Sequence, residues 1–72
     1  MTLREARFSR GISQQQLSLL SGVHQTTISH IERGLQEPND KHKAAIQSAL
    51  SCHPDLIDWE LTRKEYLKDL NS

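Results

Sequence analysis

Gly11, Gly22 and Gly34 punctuate the first half of the chain, and apolar residues recur at helical spacing between them. Glycine readily takes the left-handed backbone that ends helices, so these three positions limit how long any helix between them can be. No stretch alternates apolar and polar residues with period two, and nothing resembles a hairpin turn. The chain therefore reads as a succession of short helices. Helices this short do not persist alone, so each must be held by packing against the others.

The first helix is predicted over TLREARFSR, residues 2–10, with Gly11 as its stop. Starting at the initiator, its first turn is expected to fray. Ser13-Gln14-Gln15-Gln16 has the spacing of a capping box, in which Ser13 caps and Gln16 reaches back. The second helix, 14–20, presents Leu17 and Leu20 to the interior, and its small Ser18 and Ser21 permit close approach of a neighbour. The third runs from about 25 to 33. Ile28, Ile31 and Leu35 mark its buried face, and Gln25, Thr26, Ser29, His30 and Arg33 lie on the other side. Gly34 is its C-cap. After the turn LQEPND, Asn39 or Asp40 caps a fourth helix with an inward stripe of His42, Ala45, Ile46, Ala49 and Leu50. On that stripe His42 reads as a half-buried core histidine. Pro54 opens a fifth helix, DLIDW, carrying Leu56, Ile57 and Trp59. Thr62-Arg63-Lys64-Glu65 is a second capping box, opening a last helix with Tyr66, Leu67 and Leu70. The fold class is all-α. Its second and third helices, joined by a glycine turn, have the outline of a helix-turn-helix.

A chain of 72 residues is one small domain. At this size only about 60% of the unfolded surface is buried, and association with a second copy is a common remedy for marginal stability. The single cysteine, Cys52, cannot form an internal bridge and reads as a small buried hydrophobe in a reducing compartment. No signal peptide and no apolar run of membrane length is evident, so the expectation is a cytoplasmic protein with no membrane contact. His24, His30, His42 and His53 include no i, i+4 pair, and Cys52-His53 alone cannot complete a tetrahedral site, so no metal is expected. No phosphate-cradling glycine loop is present and a bundle this small offers little concave volume, so neither catalytic residues nor a cofactor is expected, and the chain is not read as an enzyme. The nine cations balance the nine anions. Residues 1–43 nevertheless carry six cations against four anions, and residues 44–72 three against five. A mildly basic front and acidic back would orient the domain on a polyanion.

The stretch SQQQLSLLSGVHQTTISHIERG resembles the helix-turn-helix of the phage repressor and Cro family, the XRE family of bacterial regulators. The resemblance rests on Ser-Gln at the start, Leu17, Ser18, Gly22-Val23, Ile28-Ser29, Ile31 and Glu-Arg-Gly at 32–34, and it extends to Pro38 and ALSCHPDLIDW. It implies a compact five-helix bundle with a DNA-binding domain over residues 1–59 and the motif at about 14–33. Residues 60–72 would form a helical extension outside the common core. By the same resemblance, Gln25, Thr26, Ser29 and His30 would meet base edges of double-stranded DNA. Their chemistry suits this: Gln pairs bidentately with adenine, the Thr methyl packs on thymine, and His donates to guanine. Gln14 would bond a phosphate and brace Gln25, with Arg33, Gln36, Asn39, Lys41 and Lys43 as further phosphate contacts. Arg7 and Glu32 would form a structural salt bridge. Independently, Glu32 shares a face with Ile28 and Arg7 lies one turn from Leu3, so both are drawn toward the core.

Two departures from the family pattern stand out. His24 occupies the N-cap position where Ser or Thr is usual. The loop Leu35-Gln36-Glu37 has no cation where the family is usually basic. The implied function is a sequence-specific transcriptional regulator, a repressor acting as a homodimer on a palindromic operator. Leu56, Ile57, Trp59, Tyr66, Leu67 and Leu70 would support dimerisation. The same fold also serves as the antitoxin of toxin–antitoxin pairs or as a protein-binding module, and the neutral charge and acidic segment 55–69 keep a toxin or anti-repressor open as a partner.

Overall fold

Thr2 opens the structure. Its hydroxyl accepts the Glu5 N–H at 3.1 Å, and the Glu5 carboxylate accepts the Thr2 N–H at 2.9 Å. This reciprocal pair satisfies two donors that a helix start otherwise leaves unmet, so the first turn is capped and does not fray as expected from its position. The spacing Thr2-Leu3-Arg4-Glu5 carries that box in plain view. The computed structural model describes residues 1–51 and 56–62. Expectations placed on Cys52, His53, Pro54, Arg63, Lys64, Glu65, Tyr66, Leu67 and Leu70 lie outside the described residues.

The helices are α1 (Leu3–Ser9), α2 (Gln14–Ser21), α3 (Gln25–Glu32) and α4 (Asp40–Ala49). A fifth, α5, begins at residue 59 and is described to residue 62. The protein is all-α, and no strand occurs among the described residues. Ser13 and Gln16 form the second capping box. At the end of α3, Leu35 N–H donates to His30 C=O and Gly34 N–H to Ile31 C=O, with Gly34 left-handed at φ 72°. This is a Schellman motif, and it stops α3 within one residue. Gly22, at φ 75°, makes the sharp turn between α2 and α3.

The core is built from Leu3 and Ala6 of α1, Leu17 of α2, Val23 of the turn, Ile28 and Ile31 of α3, Ile46 and Leu50 at α4, and Ile57. Leu3, Leu17, Ile28 and Ile46 are fully sequestered. Burying an aliphatic side chain this completely contributes about 1.5–3 kcal/mol. Two expected core residues are elsewhere. Leu20 is 61% exposed and Leu35 is 64% exposed. α2 is short and offers one buried position, Leu17. Leu35 follows the left-handed turn at Gly34, so it no longer continues the helical period that placed it beneath Ile28 and Ile31.

The segment after Ser51 differs most from expectation. Ile57 and Asp58 are not helical, and α5 starts at Trp59 rather than at residue 55. Asp58 caps it, its carboxylate accepting the Leu61 N–H at 2.9 Å. Thr62 is not a cap. It lies inside α5, buried, with its hydroxyl donating to Asp58 C=O and accepting the Leu3 N–H. The Met1 ammonium donates to Leu56 C=O and Asp58 N–H donates to Met1 C=O, so the beginning of the chain is fastened to this segment.

Candidate nucleic-acid interface

α2 and α3 pack against each other across the Gly22 turn. The pair is anchored by one carboxylate. Glu32 is 8% exposed at the end of α3 and Arg7 is 7% exposed on α1. Arg7 Nε donates to Glu32 Oε2 at 2.9 Å and Nη2 donates to Oε1 at 3.1 Å, a planar two-bond fork. The third guanidinium nitrogen, Nη1, donates to Ile12 C=O at 3.0 Å. Gln14 Nε2 of α2 donates to Glu32 Oε1 at 3.4 Å. One buried charge thus joins α1, α2 and α3. In this arrangement the Gln14 amide nitrogen turns toward Glu32.

With Ile28, Ile31 and Glu32 turned inward, the opposite face of α3 is presented outward. Gln25 and Thr26 are exposed, and Ser29 and His30 are half-buried. Their side chains are carboxamide, hydroxyl and imidazole, the donor and acceptor types that read base edges in a major groove. The N-cap is His24, exposed, whose Nδ1 accepts the Thr26 N–H at 3.1 Å. An imidazole therefore performs the task usually given to a hydroxyl or carboxamide.

The candidate phosphate contacts spread over three elements. Gln14 begins α2, where unmet N–H groups favour an anion. Arg33 is the C-cap of α3 and is exposed, and Gln36 is exposed in the loop that follows. Asn39 caps α4, its Oδ1 accepting the His42 N–H at 2.7 Å, so that oxygen is committed to the helix start. Lys41 is exposed and Lys43 half-buried. Lys43 lines a shallow cavity with Ile31, Gln36, Pro38 and Trp59. Trp59, expected at a dimer contact, is half-buried against the core and this loop. Ile57, from the same expected set, is 4% exposed and consumed by the core. Leu56 is 38% exposed.

A family model described as helix-turn-helix matches residues 3–57. The chain belongs to the XRE/Cro/C1-type helix-turn-helix family. It is a DNA-binding helix-turn-helix regulator. No curated protein and no solved structure matches the chain. Among the described residues no helix is long and apolar enough to cross a membrane.

Sequence reasoning left two contributors unassigned and misread a third. Thr2 and Glu5 were findable by their box spacing. Thr62 was misassigned because the spacing Thr-x-x-Glu does not reveal that Thr62 already lies in α5. The role of His24 needed the orientation of its ring, which no spacing reveals.

Proposed function

We propose that the protein is a sequence-specific repressor that reads an operator with the outward face of α3. The observation that supports this reading is the division of α3. Its inward residues are tied to α1 and α2 through Glu32, while Gln25, Thr26, Ser29 and His30 are left to meet a partner. Gln25 and His30 would supply directional donors and acceptors, and Thr26 would add a methyl for thymine. Gln14, Arg33, Gln36, Asn39, Lys41 and Lys43 would fix the domain on the backbone without reading sequence. Two copies would place their α3 helices in successive major grooves, with half-sites about 34–36 Å apart on a palindromic operator. Repression would follow from occupying a promoter.

The test is binding to DNA from upstream of the protein's own gene across a salt series. Each neutralised phosphate contributes about −0.9 to the slope of log K against log salt. With Arg33, Lys41 and Lys43 as the cations, the expected slope is shallow, about −3 per protomer. Absence of binding even at low salt rejects the reading. A second reading, a protein-binding module such as an antitoxin, is favoured by one observation: Leu19 and Leu20 of α2 stand 80% and 61% exposed. A chain that binds no DNA at low salt yet holds a protein partner through that pair would select it.

A further inference from the structure

We infer that His24 is a positioning residue that makes operator discrimination depend on pH: its neutral imidazole holds the first turn of α3, and protonation releases it. The inference rests on the DNA-reading role proposed for α3.

His24 Nδ1 accepts the Thr26 N–H at 3.1 Å. An accepting ring nitrogen carries no proton, so the capping form is the neutral tautomer with its hydrogen on Nε2. Protonation turns Nδ1 into a donor that faces another donor. It also places a positive charge at the positive end of the helix dipole. Ser, Thr and Asn caps cannot be switched in this way, because they do not titrate. The residue whose N–H is released is Thr26, itself on the reading face, next to Gln25. The cap and the base contacts therefore share one turn of helix.

His24 stands at the N-cap of α3. It is exposed. α2, on which α3 packs, contains no ionisable side chain, and neither do Gly22 and Val23. On α3 itself the charged or titratable residues are His30 and Glu32, followed by Arg33 at its C-cap. α1 reaches α3 through Arg7, which is engaged by Glu32, and carries Arg4 and Glu5 besides.

A duplex selected by the wild-type protein at about pH 8 from random sequence, about 20 base pairs long to hold two half-sites, serves as the probe. Affinities for it and for a scrambled duplex are compared from about pH 8 down to about pH 5, the interval in which imidazoles titrate. The charge gained by His24 strengthens phosphate attraction to both duplexes and cancels in their ratio. The loss of the cap does not cancel. The ratio for the wild type is expected to fall by up to about fivefold, the stability worth of a typical N-cap being the upper bound. His24→Asn keeps an acceptor at the same place and does not titrate, so its ratio should fall less, by the share due to His30 alone. His24→Ala should show the lowered ratio already at pH 8, with circular dichroism confirming that it is folded. Parallel profiles for the wild type and His24→Asn, or a full ratio in His24→Ala at pH 8, would overturn the inference and leave the DNA reading intact. Failure of the wild type to select any duplex at pH 8 overturns the DNA reading and the inference with it.

Discussion

At the C-terminal end of α3, the Glu32 carboxylate receives three donors from two other helices and lies out of water. At the N-terminal end, one exposed imidazole nitrogen meets one N–H two residues away. The first end is tertiary: its partners lie 25 and 18 residues off along the chain. The second is local. A buried charge whose partner is removed is left without solvent or counter-ion, whereas a lost cap is answered by water. The same helix is thus rigidly mounted at one end and lightly held at the other, and the lightly held end carries Gln25 and Thr26.

The contrast can be broken most directly at the mounted end. Arg7→Ala should lower stability by about 3–5 kcal/mol, read by urea denaturation, because it strands Glu32. The double variant Arg7→Met, Glu32→Leu should recover most of that loss, since replacing a buried pair by apolar groups is often neutral. An unchanged midpoint in Arg7→Ala would remove the distinction between the two ends. At the light end, Gln25→Ala should weaken operator binding by about 1–3 kcal/mol, the worth of one bidentate base contact. Its unfolding midpoint should move by no more than about 0.5 kcal/mol, as for other exposed positions. Equal losses of stability and binding would show that Gln25 is scaffold.

The smallest effect concerns a second helix start, that of α1. The Thr2 N–H, then the Thr2 hydroxyl, hold the Glu5 carboxyl below the usual carboxylate range, against a weak opposing effect of burial and with further help from the N-terminal ammonium. A folded-state value below the unfolded one means a contribution present at neutral pH and lost as the pH falls through the folded value. The advantage of the wild type over Glu5→Gln in thermal melting should therefore shrink on acidification. A constant difference between neutral pH and about pH 3 would contradict it.

Much of this was legible in the residues. Ser13 and Gln16, the three glycines, and the Ile28–Ile31 and Ile46–Leu50 stripes announce their helices because caps and periodicity are local properties. The pairing of Arg7 with Glu32 was readable as two charges each forced beside apolar neighbours. Leu20 and Leu35 were misread because periodicity names a face without saying whether anything packs on it, or whether the helix still runs. The start of α5 was misplaced because Asp58, inside the expected DLIDW helix, is its cap: its N–H meets Met1 and its carboxylate accepts the Leu61 N–H. Such long-range bonds leave no mark in a window of neighbouring residues. The outward face of α3 was accessible as a set of polar side chains, but the ring nitrogen of His24 was not.

The bonds from Met1 and Leu3 to Leu56 and Thr62 span 55 and 59 positions. Contacts of such separation form late, after the intervening chain has been brought to order. In any synthesis that proceeds from the first residue, α1 is made before the rest and secured after it. The Leu3 N–H must wait in a partly assembled chain for residue 62. A truncation before Thr62 would thus reach back to loosen the mount of a helix whose own sequence it leaves untouched.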